Sequence, residues 1–270
     1  MNKPESAASL FGTMPDVQGD TDRRQMPIQQ VGIRALSYPL RWQGRDQIHH
    51  GVARWSLSVA LPADRKGTHM SRFHALLQEQ EEAGHVFNGR SLSHFFMSML
   101  ERLDARTGRI ELSMPFFMRK QAPVSGSVSL IDYQMHQVVS GDGKSPEIET
   151  RVEVPVTSLC PCSKEIAAYG AHNQRSLVMV GVRGKVSATD PEALVELVEA
   201  QASSQLYGML KRTDEKFVTE QAYDNPKFVE DLVRDVALAL RQLPDVAGFS
   251  VEAENFESIH NHSAFARIDQ

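Results

Sequence analysis

The order of apolar and polar positions predicts the same succession of elements twice along the chain. Alternation with a period of two predicts strands, whereas apolar positions three or four apart predict helices. The segment from Arg54 to Leu61 alternates over most of its length, and Leu92, Phe95, Phe96 and Met99 share one helical face. The first half predicts strands over 31–40, 52–61, 110–119 and 127–139, with helices over 70–82 and 91–103.

The second half repeats this order with negligible sequence identity to the first. It predicts strands over 148–156, 176–187, 246–256 and 264–269, with helices from 190 to about 210 and from 225 to 240. We therefore expect an α+β fold: a polar tail over 1–25, then two ββααββ halves over 26–143 and 144–270. Each half forms an antiparallel sheet with helices on one face. Because such sheets leave open edges, we also expect a homo-oligomer.

Composition narrows the class of protein. The chain of 270 residues carries 29 Lys and Arg against 34 Asp and Glu, a net charge of −5, which argues against a general nucleic-acid binder. A local basic cluster still suffices for a small anionic substrate. No apolar run reaches the roughly 18 residues of a membrane span, and residues 1–19 lack the pattern of a secretory signal. A cytoplasmic location with free thiols is the simplest interpretation.

The two cysteines are the strongest chemical signal in the sequence. They form Cys160-Pro161-Cys162, and His172 follows ten residues after the second thiol. Three interpretations stand: a structural role, a nucleophilic thiol, or a metal site with thiolate and imidazole ligands. A catalytic zinc-like site needs a further protein ligand. The candidate acids are Asp214, Glu215 and Glu220.

Three other segments each have a structural and a functional interpretation. Glu230 stands four residues before Arg234, and residue type alone favours a solvated helix face. The final segment 254–263 holds His260 and His262, as an exposed loop or as a site of acid–base chemistry or phosphate contact. The segment 66–72 opens a predicted helix with three basic side chains, which is a capped start or an anion site.

Several of these motifs together resemble the type IB GTP cyclohydrolase I family of bacterial metal-dependent enzymes. The resemblance covers almost the whole chain and is most specific in the segments 14–18, 24–28, 66–73, 158–165, 170–176, 214–216, 225–231 and 254–263. It implies the tunnelling fold, with two tandem half-units per subunit and a barrelled homotetramer. It also implies hydrolysis of GTP to 7,8-dihydroneopterin triphosphate and formate, the first step of tetrahydrofolate synthesis, with zinc or manganese as the divalent ion.

The resemblance also implies roles for individual residues. Cys160, His172 and Glu215 resemble the metal ligands, and Cys162 is an extra ligand or a catalytic group. Glu230 resembles the acid that holds the guanine edge through two N–H groups. The other implied catalytic and phosphate-binding residues, some of them from a neighbouring subunit, are His260, His262, Lys66, His69, Arg72, Lys164 and Arg175.

The expected mechanism begins with attack of a metal-activated water on guanine C8, and a second hydration releases this carbon as formate. Ribose rearrangement and ring closure then give the pterin. Two rivals remain. The nitrile reductase that makes 7-aminomethyl-7-deazaguanine shares Thr-Ser-Leu-Cys-Pro, but it continues into Lys-Thr-Gly and needs NADPH, whereas this chain continues with Cys162 to Glu165. A metal or purine sensor without enzymatic activity is the other rival.

Overall fold

The computed structural model describes residues 18–185 and 190–270. Within these ranges, eight strands form one antiparallel sheet, and each strand pairs with its neighbours in sequence from β1 to β8. The elements in chain order are β1 (Ile28–Gln43), β2 (Ile48–Leu61), α1 (Met70–Glu82), α2 (Gly89–Arg102), β3 (Thr107–Gln121), β4 (Val128–Asp142), β5 (Glu147–Leu159), α3 (Pro161–Ile166), β6 (Asn173–Gly184), α4 (Pro191–Gln201), α5 (Arg212–Asp224), α6 (Val229–Arg241), β7 (Val246–Asn255) and β8 (Ala264–Asp269).

The two faces of the sheet differ in character because side chains alternate along each strand. Trp55 and Leu57 of β2 are fully buried in the apolar core, where the helices pack. Leu232 and Val236 of α6, four residues apart, join the same core. The opposite face carries charged side chains such as Arg54 and lines an open groove of about 990 Å³. The predicted α+β arrangement with an antiparallel sheet is confirmed.

The predicted element order is confirmed in the first half but incomplete in the second. The prediction that the helix from 190 reaches about residue 210 is wrong, since α4 ends at Gln201 and the backbone of Ala202 is extended (φ −77°, ψ 164°). The segment after it pairs with β5 instead: Thr157 donates its N–H to the Ser204 carbonyl oxygen at 3.0 Å. This pairing ends the helix. Two further helices, α3 and α5, were not predicted.

Parts of the predictions fall outside the described residues, namely 1–17 of the tail and 186–187 of the strand predicted over 176–187. Residues 18–25 are held to the β2–α1 connection, where Thr21 bridges Arg65 and the Asp22 N–H donates to the Asp64 carbonyl oxygen at 2.8 Å. The boundary at 143/144 stays a prediction, and β4 and β5 pair directly across it. Among the described helices, none has the length and apolar character to cross a membrane.

The start of α5 is fixed by one buried carboxylate. Asp214 accepts the N–H groups of Val124, Ser125 and Lys211, each at 2.8 Å, and the Ser125 hydroxyl at 2.6 Å. Burial alone raises the pKa of the Asp214 carboxyl, but these hydrogen bonds, from Ser125 above all, outweigh burial and hold the pKa below its usual range. The carboxylate thereby anchors α5 to the β3–β4 turn.

We expect Asp214→Asn to lower the thermal unfolding midpoint at neutral pH, because the side-chain NH2 group of asparagine would then face the backbone N–H donors that the carboxylate now accepts. The pKa of the Asp214 carboxyl is lower in the folded protein than in the unfolded chain, where it is about 3.9. The carboxylate therefore stabilises the folded state fully above about pH 4, and this contribution shrinks as the pH falls below that value. The difference in midpoint between wild type and variant should therefore narrow below about pH 4. Calorimetry from pH 7 to pH 3 measures this, and a difference independent of pH contradicts it.

Candidate active site

The antiparallel order collects the ends of β1, β3, β5 and β7 with the starts of β2, β4, β6 and β8 at one end of the sheet. We call this the Cys160 end, because β5 finishes there at Leu159 and Cys160 follows as the N-cap of α3. Pro161 suits the first helical position because its missing N–H needs no partner there. Cys160 is half-buried and Cys162 is exposed. The two thiols thus belong to a strand end and the first turn of a short helix.

His172 returns to Cys160 through the backbone. Gly170 adopts a positive φ of 119°, which a residue with a side chain rarely accepts, and the chain turns back there toward β6. Cys160 then donates its N–H to the His172 carbonyl oxygen at 3.1 Å. Ser163 joins both residues, since its hydroxyl donates to the Cys160 carbonyl oxygen at 3.1 Å and accepts the His172 N–H at 3.3 Å. Two predicted metal ligands are therefore adjacent.

The imidazole ring of His172 has defined neighbours. Its Nδ1 atom lies 3.1 Å from Gln174 Oε1 and 3.1 Å from the Ser258 hydroxyl oxygen. Ser258 belongs to the loop between β7 and β8, so this loop reaches the cysteine segment. The loop begins at Phe256, whose N–H donates to the Arg175 carbonyl oxygen at 3.0 Å.

The same loop carries the two histidines predicted to transfer protons. The rings of His260 and His262 stack with centroids 5.2 Å apart, and both side chains are exposed. The structure therefore brings the histidine loop and His172 to the same end of the sheet. Their proposed proton-transfer roles stay predictions.

Glu230 also lies at the Cys160 end. It is in the first turn of α6, and the start of this helix is joined to β5 because Lys227 donates its N–H to the Leu159 carbonyl oxygen at 3.1 Å. Arg234, which the sequence predicted as the partner of Glu230, instead faces Asp231, with Arg234 Nη1 3.9 Å from Asp231 Oδ1. Within the described residues, the exposed Glu230 carboxylate has no hydrogen-bond or ion-pair partner. An exposed carboxylate without a partner among the described residues, at the Cys160 end of the sheet, is available to bind a ligand.

The acid predicted as third metal ligand is not gathered with the other two. Glu215 is exposed in the first turn of α5, which Asp214 holds at the β3–β4 turn, so Glu215 is also at the Cys160 end but near a different strand connection from Cys160 and His172. Among the described residues, no group of three His, Cys, Asp or Glu side chains is close enough to hold a metal ion. The Asp214 carboxylate is occupied by the hydrogen bonds that fix the start of α5. The Glu220 carboxylate accepts a hydrogen bond from Lys216 Nζ at 2.5 Å. The choice of Glu215 as the third ligand therefore stays a prediction.

The predicted phosphate-binding residues divide into two groups. Lys164 and Arg175 lie at the Cys160 end, where Lys164 Nζ donates to the Tyr223 carbonyl oxygen at 2.5 Å and stands 4.5 Å from the centre of its ring. The other group, Lys66, His69 and Arg72, follows β2 at the opposite end of the sheet. The ends are separated by about 40 Å, the length of a 13-residue strand such as β5. One chain does not bring the two groups together.

Sequence reasoning missed several residues that shape this site. Ser163, Gln174 and Ser258 all lie inside segments that carried the family resemblance, but no periodicity or charge set them apart. Gln174 had one available signal, since it stands two residues after His172 and can reach the same side of an extended chain. Ser258 had none, because its contact crosses 86 residues of sequence.

The comparisons with known proteins identify the family. The sequence profile of type I GTP cyclohydrolase folE2 matches residues 14–266. The chain belongs to this family. A GTP cyclohydrolase FolE2 of Ralstonia nicotianae is 50% identical over 258 residues, covering 95% of this chain and 94% of the relative. One of Burkholderia pseudomallei is 52% identical over 261 residues, covering 95% and 96%. Cys160, His172 and Glu230 fall within the matched range.

A solved structure supports the fold independently of the sequence. Uricase from Arthrobacter globiformis superimposes with a TM-score of 0.50, covering 89% of this chain and 92% of the uricase. Only 11% of residues are identical, so the likeness concerns the fold alone. The tunnelling fold that the sequence motifs implied is confirmed.

Proposed function

We propose that this chain is a GTP cyclohydrolase of the type IB class, which hydrolyses GTP to 7,8-dihydroneopterin triphosphate and formate in folate biosynthesis. The observation that carries the proposal is the identity of about 50% with FolE2 enzymes over 95% of the chain. The placement of Cys160, His172 and Glu230 at one end of the sheet supports it. A cytoplasmic location and a homotetramer accompany the proposal as predictions.

Two of the proposed metal ligands, Cys160 and His172, are adjacent, whereas the proposed third ligand, Glu215, is not grouped with them. A half-buried thiol and an imidazole are joined through one backbone hydrogen bond, and the Nδ1 atom of His172 already has neighbours. This leaves Nε2 for a ligand, an arrangement common among metal-binding histidines. Cys160 and His172 would hold the ion, with Cys162 beside them and Glu215 as the proposed third ligand. When bound, zinc or manganese lowers the pKa of water and polarises an electrophilic carbon.

The remaining roles belong to side chains of the protein. Glu230 accepts two N–H groups of the guanine edge, which a carboxylate does with favourable geometry. His260 and His262, on an exposed loop, exchange protons with the opening and closing rings, and Cys162 is the other candidate for this task. Lys164 and Arg175 attract the triphosphate, which carries several negative charges.

A second copy of the chain completes the phosphate site in this proposal. Lys66, His69 and Arg72 lie at the end of the sheet remote from Cys160, so they reach a triphosphate there only from another subunit. The open edges at β1 and β8 provide surfaces for assembly. Exposed apolar side chains near the Cys160 end, Tyr169, Phe256 and Phe265, are consistent with a subunit interface there.

The activity is tested by incubating the purified protein with GTP and either zinc or manganese. Oxidation of the product should then give pterin fluorescence, and formate should appear in equal amount. Parallel reactions without nucleotide or without metal are the controls. Absence of a fluorescent product with every divalent ion tried contradicts the proposal.

A mixing experiment tests whether sites are shared between subunits. We expect His69→Ala and Cys160→Ala to be nearly inactive when pure, because each removes one part of every site. The two variants are then refolded together in equal amounts. In a shared site, Cys160 comes from one subunit and His69 from another, and each is intact in half of the subunits. Random assembly therefore gives intact Cys160 with intact His69 in about a quarter of the sites, and we expect about a quarter of the wild-type activity. No recovery in verified mixed oligomers contradicts a shared site.

A further inference from the structure

One ring nitrogen of His172, Nδ1, has two side-chain neighbours. Gln174 Oε1 lies 3.1 Å from Nδ1, and the Ser258 hydroxyl oxygen lies 3.1 Å from the same atom. Gln174 is 8% exposed and stands on β6, opposite Ser158 of β5 in the strand register. Its side chain is therefore fixed by the sheet, whereas Ser258 is exposed and belongs to the histidine loop.

The chemistry of these contacts selects one tautomer of His172. An amide oxygen accepts hydrogen bonds and never donates them. The Nδ1 atom must therefore carry the hydrogen in its contact with Gln174 Oε1. A neutral imidazole has only one such hydrogen, so the Nε2 atom keeps its lone pair. The Ser258 hydroxyl is the only one of the two neighbours able to exchange donor and acceptor roles.

We propose that Gln174 is a positioning residue that keeps His172 in the Nδ1–H tautomer and directs its Nε2 lone pair to a divalent ion. This inference rests on the proposed function, because it takes His172 as a metal ligand. Ser258 adds a contact from the loop that carries His260 and His262. Through this contact, the orientation of the metal-binding ring is linked to the position of that loop.

The chain offers a matched control for testing Gln174. Gln137 on β4 is also a buried glutamine, 1% exposed, and its Oε1 atom accepts the Thr150 hydroxyl at 2.9 Å. Thr150 precedes Leu159 by nine residues along β5, which places this pair about 30 Å from the Cys160 end. Both leucine variants therefore remove a buried glutamine amide from the same sheet. Gln174→Leu removes it at the Cys160 end, and Gln137→Leu removes it far from that end.

Zinc affinity of the metal-free protein is the decisive readout, measured by competition with a chromophoric chelator. We expect Gln174→Leu to weaken binding by about 10- to 100-fold, the usual loss when the partner of a metal-bound histidine is removed. Gln137→Leu should bind zinc as wild type does. Gln174→Glu should retain affinity within a few-fold, because a carboxylate still accepts the Nδ1 hydrogen. Unfolding midpoints of the metal-free variants, each compared with wild type, report the purely structural effect of each substitution.

The inclusion of His172→Ala separates the two levels of inference. If His172→Ala loses zinc affinity while Gln174→Leu keeps it, the positioning role is overturned and the metal site stands. Should His172→Ala bind zinc as tightly as wild type, both the metal assignment and the positioning role are overturned. Gln174→Asn provides the same comparison if the leucine variant does not fold, because its shorter side chain withdraws the acceptor from Nδ1 and preserves polarity.

Discussion

Cys160→Ala should lower kcat/KM for GTP by at least about a thousandfold. The loss of a metal that stabilises the transition state by several kcal/mol corresponds to a change of this size, since each tenfold change is about 1.4 kcal/mol. The half-buried thiol follows β5 directly and is joined to His172 through the backbone. Steady-state assays by pterin fluorescence measure the rate, and elemental analysis of the purified variant measures its metal content.

Two comparisons keep this result specific. The unfolding midpoint of the metal-free Cys160→Ala variant should stay close to that of the metal-free wild type, because the side chain belongs to no part of the apolar core. Cys160→Ser should lose metal as well, since a neutral hydroxyl is a far poorer ligand than a thiolate. Full metal content in Cys160→Ala means that the thiol is not a ligand.

Glu230→Gln should lower kcat/KM about a hundredfold, mainly through a higher KM, while the metal content stays unchanged. The substitution places an amide donor against an N–H of guanine, and a hydrogen bond to a charged group is worth about 1.5–3 kcal/mol. The carboxylate is free to make this contact, because it is exposed and without a partner among the described residues. Kinetics with GTP, together with elemental analysis, measure both quantities.

Glu101→Gln is the matched control for Glu230→Gln. It removes the same charge from an exposed position of α2 in the first half of the chain. This variant should retain the kinetics of wild type. An unchanged KM in Glu230→Gln, or a KM raised equally in both variants, excludes Glu230 as the group that holds the guanine edge.

The helices show where sequence reasoning succeeded and where it failed. The helix α6 was predicted because Leu232, Val236 and Leu240 repeat every four residues on a buried face. The helix α5 was missed because it lacks such a stripe: Phe217 and Tyr223 are exposed, and its start depends on the buried Asp214. The partners Val124 and Ser125, which hold this carboxylate to the β3–β4 turn, lie about 90 residues earlier and leave no local pattern in the sequence.

The chemistry of the site divides in the same way. The spacing of Cys160, Cys162 and His172, together with the motif resemblance, predicted a GTP cyclohydrolase I family, and the match to the folE2 family confirms the prediction at that level. The contact of Gln174 and Ser258 with His172 became visible only in the folded chain. The separation of Lys66, His69 and Arg72 from the Cys160 end likewise follows from strand direction, which residue type does not encode.

By itself, the sequence determined the strands with their alternating side chains, most of the helices, and the residue types able to bind a metal and a purine. These properties are local, because backbone preference and side-chain chemistry act within a few residues. The tertiary structure decided where α4 ends, how α5 is anchored and which side chains contact the Nδ1 atom of His172. These features depend on hydrogen bonds between residues far apart in the chain, and such bonds exist only after the sheet has brought its strand ends together.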